Sequence, residues 1–503
     1  MKLKLSYLAL LTALLVLFTT ACSLLPTSNT DGTTTGTTTT SAATSATTSS
    51  TADDNQNDNG WNDDITDDAG NKTTKGNAGG TTAGDVTDNT TAGGDTPASS
   101  ANTTTSTTKK QTTTKPTSAT EVVITLPPIP IQTTKPSSGN VTTKPTTTTT
   151  KKVTTTTTVN SKPTDRPTPL AENQLYGYKQ LAAMPRATAL LKAYKAITDG
   201  VANMEESISL NSAGITTDEI SLVFNYYRND HPEHFWLGTA YSYSYSYSDN
   251  TVLSFKPMTS KESSAPAYLL SKSEKAQAQA KWDAAVEKYL SLINKSMSEY
   301  DRELVLHDAL VNNCTYNKDG DGLIHSAYGA LVQKVAVCDG YSRAFAYLLR
   351  QAGIECTIAH GSSRGEGHAW NMAKINGSWY HVDITWADPV SSTPSLYHAY
   401  FNVTEERIKE DHTIDSSQNP LPAATATAEN YHTKNNNNIA TFDATFIGER
   451  LQNASKTTLY ITGNVENFVE SLTNNVYDIA VAAGRGGKFA YSLCGHELQL
   501  SLT

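Results

Sequence analysis

Residues 22–169 set the strongest limit on what this chain can fold into. The segment consists almost entirely of Thr, Ser, Asn, Asp, Gly and Pro, and "TTKPTTTTTKKVTTTTT" (142–158) is typical of it. A sequence with so little apolar surface to bury cannot offset the conformational entropy that is lost on folding. We therefore predict a disordered, partly extended stalk, and we expect the folded body to come from the residues that follow it.

An apolar island interrupts this stalk at residues 122–131, "VVITLPPIPI". Proline has no backbone N–H and cannot donate a hydrogen bond within a strand ladder. We interpret the island as an unpaired linker patch.

The start of the chain predicts export. Residues 1–21 combine two early lysines, an apolar run and a small residue before Cys22, which is typical of a signal peptide. The Ala21-Cys22 pair resembles a bacterial lipoprotein junction, at which Cys22 becomes the lipidated residue. We expect a membrane partner through this lipid anchor and a location on the extracellular face of the bacterial cell membrane. Simple cleavage and secretion is the alternative.

Charge and cysteine content limit the function further. The net charge is −10 and the sequence pI is about 5.6, so we expect no nucleic-acid partner. Beyond Cys22 the cysteines are Cys314, Cys338, Cys356 and Cys494. An even count in an exported protein favours disulfides, but a body of this size can bury its own core without them.

Hydrophobic periodicity divides the rest of the chain into three regions of an α+β fold. Residues 170–275 carry helical patterns and the alternating strand "TAYSYSYSYS". Residues 276–420 carry further helices and then alternating strands, with "GSSRGEG" (361–367) predicted to be a mobile loop. Residues 421–503 indicate a small C-terminal α/β region in which we find no chemistry.

One hairpin allows a geometric inference. "HAWNMAKI" and "SWYHVDITW" alternate on either side of Asn376-Gly377, the pair that favours a two-residue turn. Ile375 then pairs with Ser378, and counting back from this pair places His368 and Asp383 as diagonal neighbours on one face. The Cβ atoms of such a pair lie within about 7–8 Å. The sequence therefore predicts a histidine beside a carboxylate.

Cys338 stands directly before a run with helical periodicity, "CDGYSRAFAYLL". The positive end of a helix dipole favours the thiolate, which is the reactive form of cysteine. A cysteine, a histidine and an orienting carboxylate are the parts of nucleophilic acyl transfer. The alternative for Cys338 is a buried packing residue.

The rival for His368 is His381, which shares the hairpin face but lies opposite Met372, closer to the turn.

Three stretches in this order resemble the transglutaminase-like superfamily: "VCDGYSRAFAYLLRQAGIEC", "GHAWNMAKINGSWYHVDITWADP" and "YFNVTEE". The resemblance covers about residues 300–405. It implies a papain-like core in which the helix bearing the cysteine packs on an antiparallel sheet bearing the histidine and the acid. Carried over to this sequence, it implies Cys338 as nucleophile, His368 as base and Asp383 as orienting residue. We assign no cofactor from the sequence.

Further residues are candidates for the surroundings of the thiol. The backbone N–H of Cys338 is one expected oxyanion donor, and the second is Tyr328 or Gln333, between which the sequence does not choose. Trp370 is a candidate for the substrate channel. "NKDGDG" (317–322) begins like a calcium loop but has Tyr328 where a bidentate Glu is needed, so we expect no metal site.

Three functions fit these residues. The leading hypothesis is a cell-surface thiol enzyme that acts on amide bonds of a protein or peptide substrate and passes the acyl group to an amine or to water. The second is a surface binding module that keeps the fold without turnover. The third is a disulfide-stapled adhesin, in which Cys338 is paired with Cys314 or Cys356.

The stalk leads to a first testable prediction. A nonspecific protease should cut residues 27–168 under conditions that leave 170–503 intact, because a segment that buries little backbone is open to proteolysis. Mass spectrometry of the fragments measures this. Protection of the whole stalk in the free protein would contradict it.

Overall fold

The structure is a computed structural model that describes residues 47–53, 122–125, 165–388, 396–415 and 420–503. The predicted signal peptide, Cys22 and most of the predicted stalk lie outside the described residues. Within those ranges, the helices are all too short or too polar to cross a membrane.

The region that follows the stalk combines three helices with a small sheet. Pro185, which has no backbone N–H to continue a helix, separates the first two of these helices. The helices are α1 (Tyr176–Ala183), α2 (Ala187–Ala202) and α3 (Ile220–Asp230). The strands are β1 (Thr47–Asp53), β3 (Ile208–Ser209), β4 (Ala240–Ser246) and β5 (Val252–Met258), and their order in the sheet is β1-β4-β5-β3. Tyr241 and Tyr243 of the alternating strand β4 are buried.

The central region contains the helix that begins at Cys338 and a four-stranded antiparallel sheet. Its helices are α4 (Lys272–Leu290), α5 (Glu299–Asn313), α6 (Cys338–Gln351) and α7 (Glu405–Ile408). Two short parallel strands, β6 (Thr315–Tyr316) and β7 (Val335–Ala336), precede α6. The sheet contains β8 (Cys356–Ser363), β9 (Glu366–Ile375), β10 (Ser378–Val382) and β11 (His412–Ile414), in the order β10-β9-β8-β11. Helix α6 packs against β8 and β9.

The register predicted for the β9–β10 hairpin is confirmed. Ile375 pairs with Ser378, and the pairing continues to Asn371 with Val382. Asn376 and Gly377 both have positive φ, 50° and 84°, as a two-residue turn of this kind requires. The chain leaves the ladder after Val382.

The prediction of a mobile loop at 361–367 is wrong. Strand β8 runs through Ser363 and β9 starts at Glu366, so that only Arg364 and Gly365 form the turn. Both have positive φ, 54° and 80°. The glycines and serines that indicated a loop are part of a second tight hairpin, because two residues suffice to reverse the chain.

Residues 420–503 form an α/β region with its own apolar core. Its helices are α8 (Tyr431–Lys434), α9 (Ala444–Gln452), α10 (Val465–Asn474) and α11 (Val476–Ala482). Its strands are β12 (Asn438–Ile439), β13 (Lys456–Ile461), β14 (Lys488–Cys494) and β15 (Glu497–Leu502). Strand β2 (Val122–Thr125) completes the sheet, in the order β12-β13-β15-β14-β2.

Two stretches of the predicted stalk are therefore paired. Strand β1 pairs with β4, and β2 pairs with β14 from Lys488 to Tyr491. The interpretation of residues 122–131 as an unpaired patch is wrong for Val122–Thr125. The prolines of the island begin at Pro127, so Val122–Thr125 keep the N–H groups that a ladder needs.

A buried charge cluster joins the first region to the first turn of α6. The carboxylate of Asp339 faces Arg228 of α3 at 3.1 Å and Arg343 of α6 at 2.8 Å. Arg343 also donates to the backbone oxygen of Arg228 at 2.7 Å. Burial alone would raise the pKa of Asp339, but Arg343 and Arg228 outweigh it and hold that pKa below its usual value. The helices before β4 and helix α6 also share one continuous apolar core.

This cluster predicts a large effect of Asp339→Asn on stability. The change leaves two arginines buried without their shared carboxylate, and losing one partner of a buried pair costs about 3–5 kcal/mol. The free energy of unfolding in urea measures the effect. Glu287→Gln is the control, because the Arg166–Glu287 pair is exposed on its Glu287 side and such pairs contribute about 1 kcal/mol or less. Equal losses in the two variants would contradict the assignment.

Candidate active site

Cys338 is the first residue of α6 and is buried, with 5% of its surface exposed. Val337 precedes it in an extended conformation, and no side chain caps this end of the helix. The backbone N–H groups of the first turn therefore keep their partial positive charge for a nearby anion. Ala346, Ile358 and Ala369 pack around the thiol.

His368 lies near the start of β9 and is held between an acid and the thiol. Its Nε2 lies 2.8 Å from Oδ2 of Asp383, and both side chains are buried. The thiol of Cys338 lies close enough to this ring to be among the groups that raise the pKa of His368. Because Nε2 faces the carboxylate, Nδ1 is the atom available to the thiol. The structure thus brings Cys338, His368 and Asp383 together.

The charges of this group favour an imidazolium at His368. Burial alone would lower the pKa of His368, but the charge of Asp383, the hydrogen bond with Asp383 and the nearby Cys338 thiol outweigh it and raise this pKa to about 10. Burial would raise the pKa of Asp383, yet His368 and His412 hold it well below its usual value. His368 therefore carries a proton through the neutral range and loses it only as the pH rises toward about 10.

The carboxylate of Asp383 accepts four hydrogen bonds. Oδ2 receives His368 Nε2 at 2.8 Å and His412 Nε2 at 3.0 Å. Oδ1 receives the backbone N–H groups of Thr385 at 3.0 Å and Trp386 at 3.2 Å. The backbone N–H of Asp383 itself donates to the oxygen of Tyr400 at 3.1 Å. Both carboxylate oxygens are satisfied on two sides, so the orientation of the group is fixed.

His412 is a residue of this site that sequence reasoning missed. It opens β11, whose three residues pair with β8 from Gly361 to Ser363. A Cβ atom at Gly361 would lie 1.9 Å from the backbone oxygen of Thr413, so glycine is required for this approach. A three-residue strand leaves no readable alternation, and the Asp411-His412 pair was the available signal.

The His381 ring makes no hydrogen bond with Asp383. Its Nδ1 accepts the indole N–H of Trp370 at 3.0 Å, and it lies opposite Met372 as the register predicts. Burial lowers the pKa of His381 to about 4, so the ring is neutral at physiological pH. The geometry therefore favours His368 over its rival as the partner of Asp383.

The structure shows the contacts of three further candidates for the surroundings of the thiol. Trp370 is fully buried and stacks against His368 with ring centroids 5.9 Å apart, so it is a core residue and not part of an open channel. Tyr328 stacks on Phe235 at 4.6 Å. Gln333 is exposed and donates to Asp321 at 3.1 Å. The assignment of Gln333 as second oxyanion donor is not supported, because its amide already donates to Asp321. The assignment of Tyr328 stays a prediction.

In the part of the chain that the structure describes, cysteines 314, 338, 356 and 494 are not joined by disulfides, which argues against the disulfide-stapled adhesin. Cys356 accepts a hydrogen bond from Asn371 at 3.6 Å, and burial raises its pKa far above the usual value. Its thiol is therefore the protonated form at neutral pH. Cys314 and Cys494 are buried.

Among the residues that the structure describes, two groups of side chains have the composition of metal ligands. They are His307, Asp308 and His398, and His368, Asp383 and His412, with ligand atoms within 4.8 Å in each. In each group two imidazole nitrogens already satisfy the carboxylate. Hydrogen bonding accounts for both arrangements, and we assign no metal to either. In "NKDGDG", Asp321 caps a short helical turn by accepting from Leu323 N at 3.0 Å.

Comparison with known proteins places this site in a recognised domain. Residues 288–384 match the transglutaminase-like superfamily, so the chain contains a transglutaminase-like domain. The kyphoscoliosis peptidases of Mus musculus and Homo sapiens are each 32% identical over 97 residues, 16% of this chain and 15% of the relative. The chain thus matches only about 15% of the length of these relatives.

Two solved structures are also similar over part of the chain. A Cytophaga hutchinsonii protein described as a candidate cysteine protease is 22% identical, over 22% of this chain and 38% of that chain, with a TM-score of 0.18. A structure described as a TGase is 18% identical, over 29% of this chain and 39% of that chain, with a TM-score of 0.21.

The histidine assignment predicts a specific pH response. His368→Ala should lower the rate at which iodoacetamide alkylates Cys338 much more at pH 6 than at pH 9. The imidazolium that stabilises the thiolate is lost, whereas an ordinary thiol, with a pKa of about 8.5, ionises at pH 9 without help. Asp383→Asn should keep the fold, because the amide is isosteric, and should change the pH 6 rate in the same direction.

His381→Ala is the control for this experiment and should change either rate little. Peptide mapping by mass spectrometry assigns the label to Cys338. If His381→Ala reproduces the effect expected of His368→Ala, the wrong histidine has been assigned.

Proposed function

We propose that this chain is a thiol enzyme that cleaves amide bonds of protein or peptide substrates through a thioester at Cys338. One observation carries the proposal: a buried His368 lies between Asp383 and Cys338, with its pKa raised to about 10. An imidazolium beside a thiol at a helix N-terminus favours a thiolate–imidazolium pair. The transglutaminase-like domain at residues 288–384 supports the same reaction class.

The first half of the reaction forms the thioester. The Cys338 thiolate attacks the carbonyl carbon of the amide, and a carbon–sulfur bond forms while the carbonyl electrons move to oxygen. The backbone N–H of Cys338 is oriented toward this end of the helix and is the candidate donor to the oxyanion. When the carbon–nitrogen bond breaks, His368 gives its proton to the departing nitrogen, and an amine leaves.

The second half regenerates the enzyme. Neutral His368 takes a proton from the incoming water or amine as its oxygen or nitrogen attacks the thioester. The carbon–sulfur bond breaks, and Cys338 leaves as thiolate beside the newly formed imidazolium. Water gives a carboxylic acid, and a primary amine gives a new amide. Asp383 keeps the ring orientation in both halves and stabilises its positive charge.

The residues around His368 support an acyl site that excludes water. The ring of Trp386 lies 6.1 Å from that of His368, and the guanidinium of exposed Arg364 covers Trp386 at 4.5 Å. Lys318 and Glu366 form an ion pair at 2.9 Å next to the start of β9. Arg364 lies in the β8–β9 turn and Glu366 directly follows this turn, so we propose that the turn borders the substrate.

We propose a location for this activity on the outer face of the bacterial membrane, with the chain anchored through a lipid at Cys22. This rests on the signal-peptide pattern of residues 1–21 and the Ala21-Cys22 junction. The activity then acts on proteins or peptides of the cell envelope.

A trapping experiment tests the reaction class. Purified protein is mixed with a glutamine-containing peptide and a fluorescent primary amine, quenched in acid, and digested for mass spectrometry. We expect an acyl group on Cys338 and, after longer incubation, either the fluorescent amide or the hydrolysed product. The ratio of the two identifies the preferred acceptor. A second run with a cell-envelope protein extract identifies the natural acyl donor.

Two cysteine variants control this experiment. Cys338→Ala should lose the acyl group and both products. Cys356→Ala removes a neighbouring thiol from the same apolar cluster and should retain them. A wild-type protein that forms neither the acyl group on Cys338 nor either product would instead support a binding module without turnover.

A further inference from the structure

His412 is bonded to a carboxylate at each of its two ring nitrogens. Nε2 lies 3.0 Å from Oδ2 of Asp383, and Nδ1 lies 2.7 Å from Oδ1 of Asp411. A neutral imidazole has one N–H and can donate to only one of these carboxylates. Donation to both requires the doubly protonated ring. The geometry therefore indicates that His412 is an imidazolium.

The rings around His412 suit a buried cation. Its side chain is inaccessible to solvent, and aromatic rings surround it, with centroid distances of 4.8 Å to Trp386, 5.1 Å to Trp370 and 5.6 Å to Tyr400. The faces of aromatic rings attract cations, and this attraction is larger when water is excluded. Two carboxylates and three rings thus offset the desolvation of one positive charge.

Asp411 is itself held in place. It accepts the hydroxyl of Tyr400, and Arg407 Nη1 lies 3.6 Å from the same oxygen, Oδ2. Burial would raise the pKa of Asp411, but His412, Arg407 and Tyr400 keep it below its usual value. Asp411 is therefore an anion that anchors the far side of the His412 ring.

We propose that His412, anchored by Asp411, is a positioning residue for the thiol site. It donates to the same oxygen of Asp383 that holds His368, while backbone N–H groups hold the other oxygen. A row of alternating charges then runs from the Cys338 thiolate through His368, Asp383 and His412 to Asp411. The proposal deepens the proposed function and rests on it, because the positioned group is the thiol–imidazole pair.

No other titratable group described below supplies a positive charge to Asp383 in place of His412. His307 of α5 interacts with Asp383, but burial lowers its pKa. His381 of β10 interacts with His412, and burial lowers its pKa to about 4. Both are neutral in the neutral range. Arg407 of α7 remains charged but faces Asp411 and Glu410.

Substitutions at position 412 test this role through Cys338 alkylation by iodoacetamide, followed from pH 5 to pH 10. His412→Leu removes the donor, and the rate at pH 6 should fall about tenfold or more, the size expected when a hydrogen bond to a charged group is lost. The rate at pH 9 should change much less. His412→Gln keeps an N–H donor close to the position of Nε2 and should restore most of the pH 6 rate.

His432→Leu is the matched control. His432 is also fully buried and also faces a buried carboxylate, with Nε2 3.3 Å from Oε2 of Glu497. His432→Leu also removes a buried histidine that faces a carboxylate, but His432 does not bond to Asp383. The pH dependence of Cys338 alkylation in this variant should therefore match that of the wild type. A profile change in His432→Leu equal to that in His412→Leu would overturn the proposal.

Asp411→Asn keeps the proposal testable if His412→Leu fails to fold. The amide has the same shape but lacks the charge that stabilises the His412 imidazolium, so the pH 6 rate should fall several-fold. An unchanged rate in Asp411→Asn overturns the proposal. The alkylation rate of the wild type at pH 6 separates a failure of the proposed function from a failure of the positioning role. If this rate is no higher than that of His368→Ala, the proposed function fails. If it is higher and the His412 and Asp411 variants match it, only the positioning role fails.

Discussion

The carboxylate of Asp383 is the interaction on which the rest of this site depends. It is almost completely buried and accepts two imidazole and two backbone N–H groups. A buried anion is stable only if its hydrogen bonds are made, so the elements that supply the donors must all be in place. These are β9 with His368, β11 with His412 and the turn that follows Asp383. The same bonds that stabilise the anion therefore assemble the site.

A second buried anion fixes the other half of the site. Asp339 follows Cys338 in the first turn of α6, and Arg228 and Arg343 neutralise it. Without them, a carboxylate at this position would disfavour a thiolate on the neighbouring residue. Because Arg228 belongs to α3, the helices that precede the transglutaminase-like domain are part of the support of the thiol.

Residues 421–503 contact the chain segment that follows Asp383, at Trp386 and His398. Cys494 donates to the backbone oxygen of Trp386 at 3.5 Å, and Glu497 accepts the backbone N–H of His398 at 2.6 Å. Trp386 is the residue whose N–H holds Asp383 and whose ring contacts His412. Residues 421–503 showed no chemistry in the sequence, and the structure gives them a supporting role behind Trp386.

Local sequence rules predicted the parts of the site that local geometry controls. Asn376-Gly377 determined the hairpin register, and the apolar stripe after Cys338 determined the helix. His412 could not be found in this way, because it reaches Asp383 from 29 residues away through a three-residue strand. The partners of Tyr328, Gln333 and Trp370 likewise depend on tertiary packing. Val122–Thr125 pair with β14, a strand several hundred residues later in the chain. Local composition, on which the stalk prediction is based, contains no information about such a distant partner.

The protonation state of His368 at neutral pH tests most directly whether this site holds a thiolate–imidazolium pair. Nitrogen-15 NMR of the histidine rings, assigned with His368→Gln, reports how many ring nitrogens carry a proton at each pH. The account predicts that both nitrogens of His368 are protonated at pH 7 and that the ring titrates near the value of about 10 to which its pKa is raised. A His368 ring that is already neutral at pH 7, with one nitrogen unprotonated, would contradict it.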